Sequence, residues 1–334
     1  MKISTCGDAG DIIYALCILK QIPNAPHALC LRSSPATKAK GSEDVQRMFN
    51  LIAPLVRLQP YIADVQIIQP GDPVDWASED FRERHYTKGE TLMQAHLNHL
   101  IQKHGIGQNF TSGQPWIFNV HPAPKSKGRV VINRTGRYRN DLFPWKEIVA
   151  HFRNKLLFVG LKHEWREFIG HHGYVEFVET ANLLEVAQLI KGSDLFIGNQ
   201  SCAYAVAEGL KHPTIQETNL EYPDCVYVRP NARYVVDGVV TLPDGTELRG
   251  KRPPVDKKTH ITPPGGGWIY AGYHPCPVFE LLVNEVAKRE NLSIAEAGDR
   301  IYSANVDRCP DFFANWGDKM ALNRFHHALE NYRP

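Results

Sequence analysis

The chain has 334 residues, with 38 Lys and Arg against 36 Asp and Glu, a formal charge of +2, and 43% hydrophobic residues. This length predicts about two domains, and the composition is that of a globular chain able to bury sizeable cores. A nearly neutral balance excludes bulk-charge coating of DNA or membranes, and seven scattered cysteines without a CxxC pair exclude a zinc ribbon.

Residues 3–6 predict a short strand and 12–21 the helix after it. The Met1-Lys2-Ile3-Ser4-Thr5 opening lacks the apolar run of a secretory signal. No stretch approaches the ~20 apolar residues that cross a bilayer, so a cytoplasmic chain with reduced thiols and no membrane span is expected. Gly7-Asp8-Ala9-Gly10-Asp11 puts two glycines and two carboxylates at a strand's C-terminal end, where ligand crevices form in open α/β sheets. Strands at 28–31 and 65–68 flank a helix at 45–52, and 91–104 is helix-like. The segment Pro122-Ala123-Pro124-Lys125-Ser126-Lys127-Gly128 reads as a linker with few contacts.

Beyond it the rhythm restarts, with strands at 129–133, 155–160, 195–198 and 214–216 and helices at 145–153, 183–191 and 203–210. Strands alternating with helices imply parallel sheets and right-handed crossovers. The expected fold class is therefore α/β, two Rossmann-like domains facing across a cleft. Residues 1–125 would form the first domain, 126–290 the second, and 291–334 C-terminal helices packing back on the first. Within the second domain, 234–268 forms an insertion: a β-hairpin turning at Pro243-Asp244-Gly245, then a long basic loop with Gly265-Gly266-Gly267. Helices are expected at 279–289, 294–302 and 319–332.

The strongest chemical signal is Gly198-Asn199-Gln200-Ser201, between a strand and a helix rich in small residues. A helix entered this way presents free N–H groups and partial positive charge to a diphosphate, although Asn and Ser also serve simply as helix caps. Arg134, Arg137 and Arg139 follow the strand at 129–133. Three guanidiniums on one βα loop suit bidentate phosphate recognition, or form an exposed basic loop. The chain has no Asp-x-Asp motif for a metal-bound diphosphate. Gly265-Gly266-Gly267 lacks the Lys-Ser/Thr of a phosphate loop, and His171-His172 and His326-His327 lack metal-ligand spacing. The Gly7 and Gly10 turn is one glycine short of a dinucleotide fingerprint, which disfavours a dehydrogenase.

Asp194-Leu195-Phe196-Ile197-Gly198-Asn199-Gln200-Ser201, followed by Glu208-Gly209-Leu210-Lys211-His212-Pro213-Thr214, resembles the donor motif of the ADP-heptose:lipopolysaccharide heptosyltransferase family. Leu183-Leu184-Glu185-Val186-Ala187 resembles the helix before that motif, and Gly10-Asp11 the family's opening. The resemblance implies a GT-B fold and an inverting, metal-independent transfer of a sugar from a nucleotide-diphosphate donor, with no cofactor. It makes 1–125 the acceptor side and 126–290 the donor domain, and puts Asp11 at the catalytic base and Gly10 among the donor-binding residues; Asp8 on the same turn is the spare carboxylate. By its position alone Asp11 is equally a helix N-cap. The resemblance further assigns Thr135 and Arg139 to the diphosphate and Gly160, Lys162 and Glu164 to the nucleoside. Glu208 would accept ribose hydroxyls, or be a solvated helix face.

Gln200, Cys202 and Ala205 depart from the family's Asp, Gly and His, which marks a divergent branch similar to glycosyltransferase-like proteins that include phage-borne ones. The acceptor would be a glycan or a modified nucleic-acid base, the latter read by a basic rim of Arg32, Lys38, Lys40, Lys251, Arg252, Lys257 and Lys258. A nucleotide-sugar epimerase and a non-catalytic nucleotide-sugar binding protein are the alternatives. The sequence gives no sign of an oligomeric state.

Overall fold

The structure, a computed structural model, describes residues 1–5, 8–33, 41–79, 81, 91–104, 113–219, 222–227, 229–250 and 277–305. It is a mixed α/β protein built on two parallel sheets. In the first, β1 (Lys2–Thr5) pairs with β2 (His27–Leu31) and β4 (Trp76–Ser78), and β3 (Ile62–Ile67) lies outside β2, giving the order β3-β2-β1-β4. All its pairings are parallel. Helix α1 (Ala9–Leu19) buries ten of its eleven residues, as a helix apolar on all sides must. Helix α2 (Ser42–Val56) buries only the stripe Val45, Ile52, Ala53, Leu55 and Val56. Helix α3 spans Leu92–His104.

The second sheet comprises β5 (Val130–Asn133), β6 (Leu156–Val159), β7 (Glu176–Val178), β8 (Leu195–Asn199), β9 (Thr214–Glu217) and β10 (Ala232–Val235). Its order is β10-β9-β8-β5-β6-β7, again parallel throughout. Strands β5, β6 and β8 are buried along their whole length, as expected where helices cover both faces. The crossovers are α4 (Trp145–Phe152), α5 (Lys162–His172), α6 (Leu183–Gly192) and α7 (Cys202–Gly209). A hairpin of β11 (Val239–Thr241) and β12 (Glu247–Arg249) follows, then α8 (Pro277–Glu290) and α9 (Ile294–Asn305).

Four elements were not expected. Strands β4 and β7 have three residues each and stand at sheet edges, too short to show a period. Helix α5 buries only Phe168 fully, so its polar sequence gives almost no amphipathic stripe. The chain entering the hairpin is itself strand β10, parallel to β9. The expected loop over 251–268 and helix over 319–332 lie outside the described residues.

The two sheets share one core. Ile3, Ile12 and Leu16 of the first belong to the same apolar cluster as Val131, Phe196 and Val206 of the second. Its centre is the packing of α1 against α7. Trp116 Nε1 donates to the carbonyl of Ile13 in α1 at 2.9 Å, while the Trp116 and Ile117 N–H groups both donate to the Gly209 carbonyl ending α7. A Cβ on Gly209 would stand 2.5 Å from Ile117 Cδ1 and 2.9 Å from Trp116 Nε1, so a larger residue would push these two side chains off α7. The 122–128 connection is packed as well: Ala123 N–H donates to Gln188 O at 2.8 Å, and Ser126 is fully buried. A second cluster, with Ile132, Trp145, Phe158 and Ile197, fills the other face of the larger sheet.

Candidate functional site

The carboxyl ends of β1, β5, β6 and β8 all open on one cavity of about 610 Å³ between the two sheets. From the first half it is lined by Asp8, Gly10, Asp11, Tyr14, Leu51 and Leu92. Asp8, not Asp11, holds the N-cap position of α1, and its side chain makes no capping bond. It pairs instead with Arg137 at 3.3 Å, across the cavity. Asp11 lies in the first turn of α1 with only 6% of its surface exposed.

From the second half come Thr135 and Arg137 after β5, Gly160 and Glu164 after β6, and Gln200 and Ser201 after β8. Ser201 caps α7, its Oγ accepting the Tyr204 N–H at 3.2 Å. A Cβ on Gly10 would sit 3.7 Å from Cys202 Cα, so the N-termini of α1 and α7 meet at the cavity wall. Both helices thus turn their partial positive ends toward it. Gln200 secures the next loop, accepting from Asn219 N–H at 3.1 Å and donating to Tyr222 O.

Two buried side chains fix the loop that carries Thr135 and Arg137. Asn199 accepts the Thr135 N–H at 3.0 Å and donates to the Arg137 carbonyl at 2.5 Å. Glu217, fully buried, accepts from Arg134 Nε and Nη2, from the Asn140 N–H at 2.8 Å and from Trp145 Nε1 at 2.8 Å. Arg134 is therefore structural and lies outside the cavity lining. Arg139 forks onto Glu167 at 2.5 and 2.8 Å, also away from the lining. That bond raises the Arg139 pKa and lowers that of Glu167. Of the three arginines, Arg137 alone reaches the cavity.

Lys162 begins α5, exposed and outside the lining, whereas Glu164 faces the cavity and closes the first turn by accepting the Leu161 N–H at 3.1 Å. Glu208 is fully buried, paired with Arg229 at 2.8 Å and with Lys211, and does not line the cavity. Of the basic rim, Arg32 pairs with Glu79 at 2.7 Å, and the five lysines and one arginine at 38, 40, 251, 252, 257 and 258 lie outside the described residues.

Sequence reasoning missed Tyr14, Asn133, His163 and Asp224, which also line the cavity. Tyr14 follows Asp11 by one turn of α1, and its hydroxyl is buried without a hydrogen-bond partner; the i, i+3 spacing was the available signal. The lining holds the carboxylates of Asp8, Asp11, Glu164 and Asp224 against the one guanidinium of Arg137 among the described residues. No group of three or more His, Cys, Asp or Glu is placed to hold a metal ion, and no helix is long and apolar enough to cross a membrane, among the described residues.

The support behind Arg134 is sensitive to acid. Arg134 Nη1 lies 3.1 Å from His172 Nε2; a guanidinium only donates, so Nε2 accepts and the ring proton sits on Nδ1. Burial and then the Arg134 charge push the His172 pKa down to about 4, and burial does the same to His212, also to about 4. An unfolded histidine titrates near ~6.5, so on acidification the unfolded chain binds these protons first. Their contribution is complete above about 6.5 and is lost as pH falls toward 4. Calorimetric melting should show Tm dropping through that window, less steeply in His172→Gln.

The fold and the site together define an α/β protein with two parallel sheets around a cavity at their strand ends. No protein-family model matches the sequence, and no curated protein matches it. Solved structures do. The chain is similar to the E. coli heptosyltransferase WaaC with ADP, at 12% identity over 70% of this chain and 92% of that one, with a TM-score of 0.48. It is similar to a family 9 glycosyl transferase from Veillonella parvula, at 11% identity over 70% and 85%, TM-score 0.47. A UDP-N-acetylglucosamine 2-epimerase from Listeria monocytogenes, described as putative, aligns at 11% identity over 100% and 97%, with a TM-score of 0.36.

Proposed function

We propose that the protein is an inverting, metal-independent glycosyltransferase that uses a nucleoside diphosphate sugar. The observation that carries this reading is the placement of Asp11 and Arg137, from opposite halves of the molecule, on the walls of one cavity. An inverting transfer needs a base to take the acceptor hydroxyl's proton as its oxygen attacks the anomeric carbon. Asp11 is the base. On the far wall, Arg137, the Thr135 hydroxyl and the N–H groups opening α7 receive the diphosphate and steady its charge as it leaves. The motif around Gly198 and Ser201 supports the same assignment. The acceptor carries a hydroxyl, in a glycan or a modified nucleic-acid base.

Asp8 holds Arg137 at 3.3 Å, so an incoming diphosphate exchanges one anion for another at that guanidinium. Arg137→Gln should weaken binding of a nucleoside diphosphate by about 10- to 100-fold, the worth of a charge-assisted hydrogen bond. The pair is exposed, so stability should change by less than ~1 kcal/mol. Titration calorimetry and thermal unfolding of the same variant separate the two effects. Unchanged affinity removes Arg137 from the site.

A further inference from the structure

Two tyrosines stand at the lip of the cavity. Tyr138 lines it beside Arg137, and its ring meets that of Tyr222 at a centroid distance of 4.8 Å. Tyr222 leaves 46% of its surface exposed. The Arg137 guanidinium also lies over the Tyr138 ring, 5.2 Å from its centroid.

The position of the pair is imposed on the chain. Tyr138 has a backbone φ of +54°, a left-handed conformation that bulky residues rarely adopt. The carbonyls on either side of it are both held: Asn199 Nδ2 donates to Arg137 O at 2.5 Å, and Asn219 Nδ2 donates to Arg139 O at 3.2 Å. Tyr222 is held in turn by Gln200, which donates to its carbonyl and accepts the Asn219 N–H at 3.1 Å. Backbone strain secured from both sides in this way clusters at ligand clamps.

The ring pair lies on the flank of the cavity that Asp11 shares. Asp224 and Cys225, just beyond Tyr222, line the cavity, and Tyr227 packs its ring 5.1 Å from that of Tyr14, one turn from Asp11 on α1. The sheet order puts the segment after β9 on one side of the α7 N-terminus, and Gly160 and Glu164 after β6 on the other. A nucleoside diphosphate sugar with its diphosphate at α7 runs along the strand ends, and its anomeric carbon has to face the base. The sugar therefore takes the β9 flank. A sugar ring has a face of C–H bonds and a rim of hydroxyls. The face suits the negative surface of an aromatic ring, and the rim suits a carboxylate such as Asp224.

We propose that Tyr138 and Tyr222 form a platform on which the transferred sugar ring stacks, so that the pair selects among nucleotide sugars. This rests on reading the cavity as a nucleoside diphosphate sugar site. The test is titration calorimetry of the full chain with UDP, GDP and ADP beside UDP-glucose, UDP-N-acetylglucosamine, GDP-mannose and ADP-glucose. Tyr222→Ala should weaken at least one nucleotide sugar by about five- to tenfold while its bare diphosphate stays within about twofold. Tyr222→Phe should keep both affinities. If the alanine variant does not fold, Tyr138→Asn carries the test, because asparagine accepts the left-handed backbone. Equal weakening of sugar and diphosphate, no change in either, or a loss in Tyr222→Phe as large as in the alanine overturns the platform and leaves the site's assignment standing. Weakening only toward a single-stranded oligonucleotide with a hydroxymethylated base does the same, and moves the rings to the acceptor. A wild type that binds no nucleotide sugar overturns both.

Discussion

Asp11→Asn should fold like the wild type, bind a nucleoside diphosphate sugar with similar affinity, and transfer its sugar about 10²- to 10⁴-fold more slowly. The carboxamide has the same shape but takes no proton. Asp8 faces Arg137 across the cavity, and its part is to hold that guanidinium until the diphosphate arrives. Asp8→Asn should therefore leave most of the rate, and the contrast between the two variants is the informative result. Product formation by chromatography, with the melting curve of each variant recorded beside it, gives the comparison. Transfer by Asp11→Asn at close to the wild-type rate would remove the proposed base.

Glu217→Ala should be the most destabilising single change near the site. Glu217 is fully buried and answers Arg134, whose side chain is 10% exposed, together with the Asn140 N–H and Trp145 Nε1. Its loss strands a nearly buried guanidinium and two donors. Breaking a buried pair from one side costs about 3–5 kcal/mol, which would lower Tm by on the order of 10 °C. Glu217→Gln keeps one acceptor oxygen and should cost less. Because the Arg134–Asn140 segment carries Thr135 and Arg137 into the cavity, nucleoside diphosphate affinity should fall with stability in the alanine variant. Thermal unfolding and titration calorimetry check the two together, and a Tm unchanged by the alanine would show that the network contributes nothing.

Much of the fold was readable because the strands that face helices on both sides are short apolar runs, as at Val130–Asn133 and Leu195–Asn199. The rhythm failed where burial is partial: β4 and β7 at sheet edges, and α5 with its largely solvated surface. At the cavity, the positions of Asp11 and Ser201 could be read because each opens a helix just after a strand end, while Glu164 came from the resemblance. The arginines could not. Whether Arg134 or Arg139 serves a ligand depends on Glu217 and Glu167, which are 83 and 28 residues away in the chain. Glu208 shows the same dependence, since Arg229 reaches it from beyond β9. Asn133 went unnoticed because nothing local marks the last residue of a strand as part of a cavity wall.

The apolar cluster that runs from Ile3 through α1 and α7 to Phe196 means the halves have no independent existence. Heating should produce one endotherm, not two, and neither half expressed alone should hold its shape. Substrate entry then falls to the open rims of the cavity, because the oily spine behind it leaves no other way in.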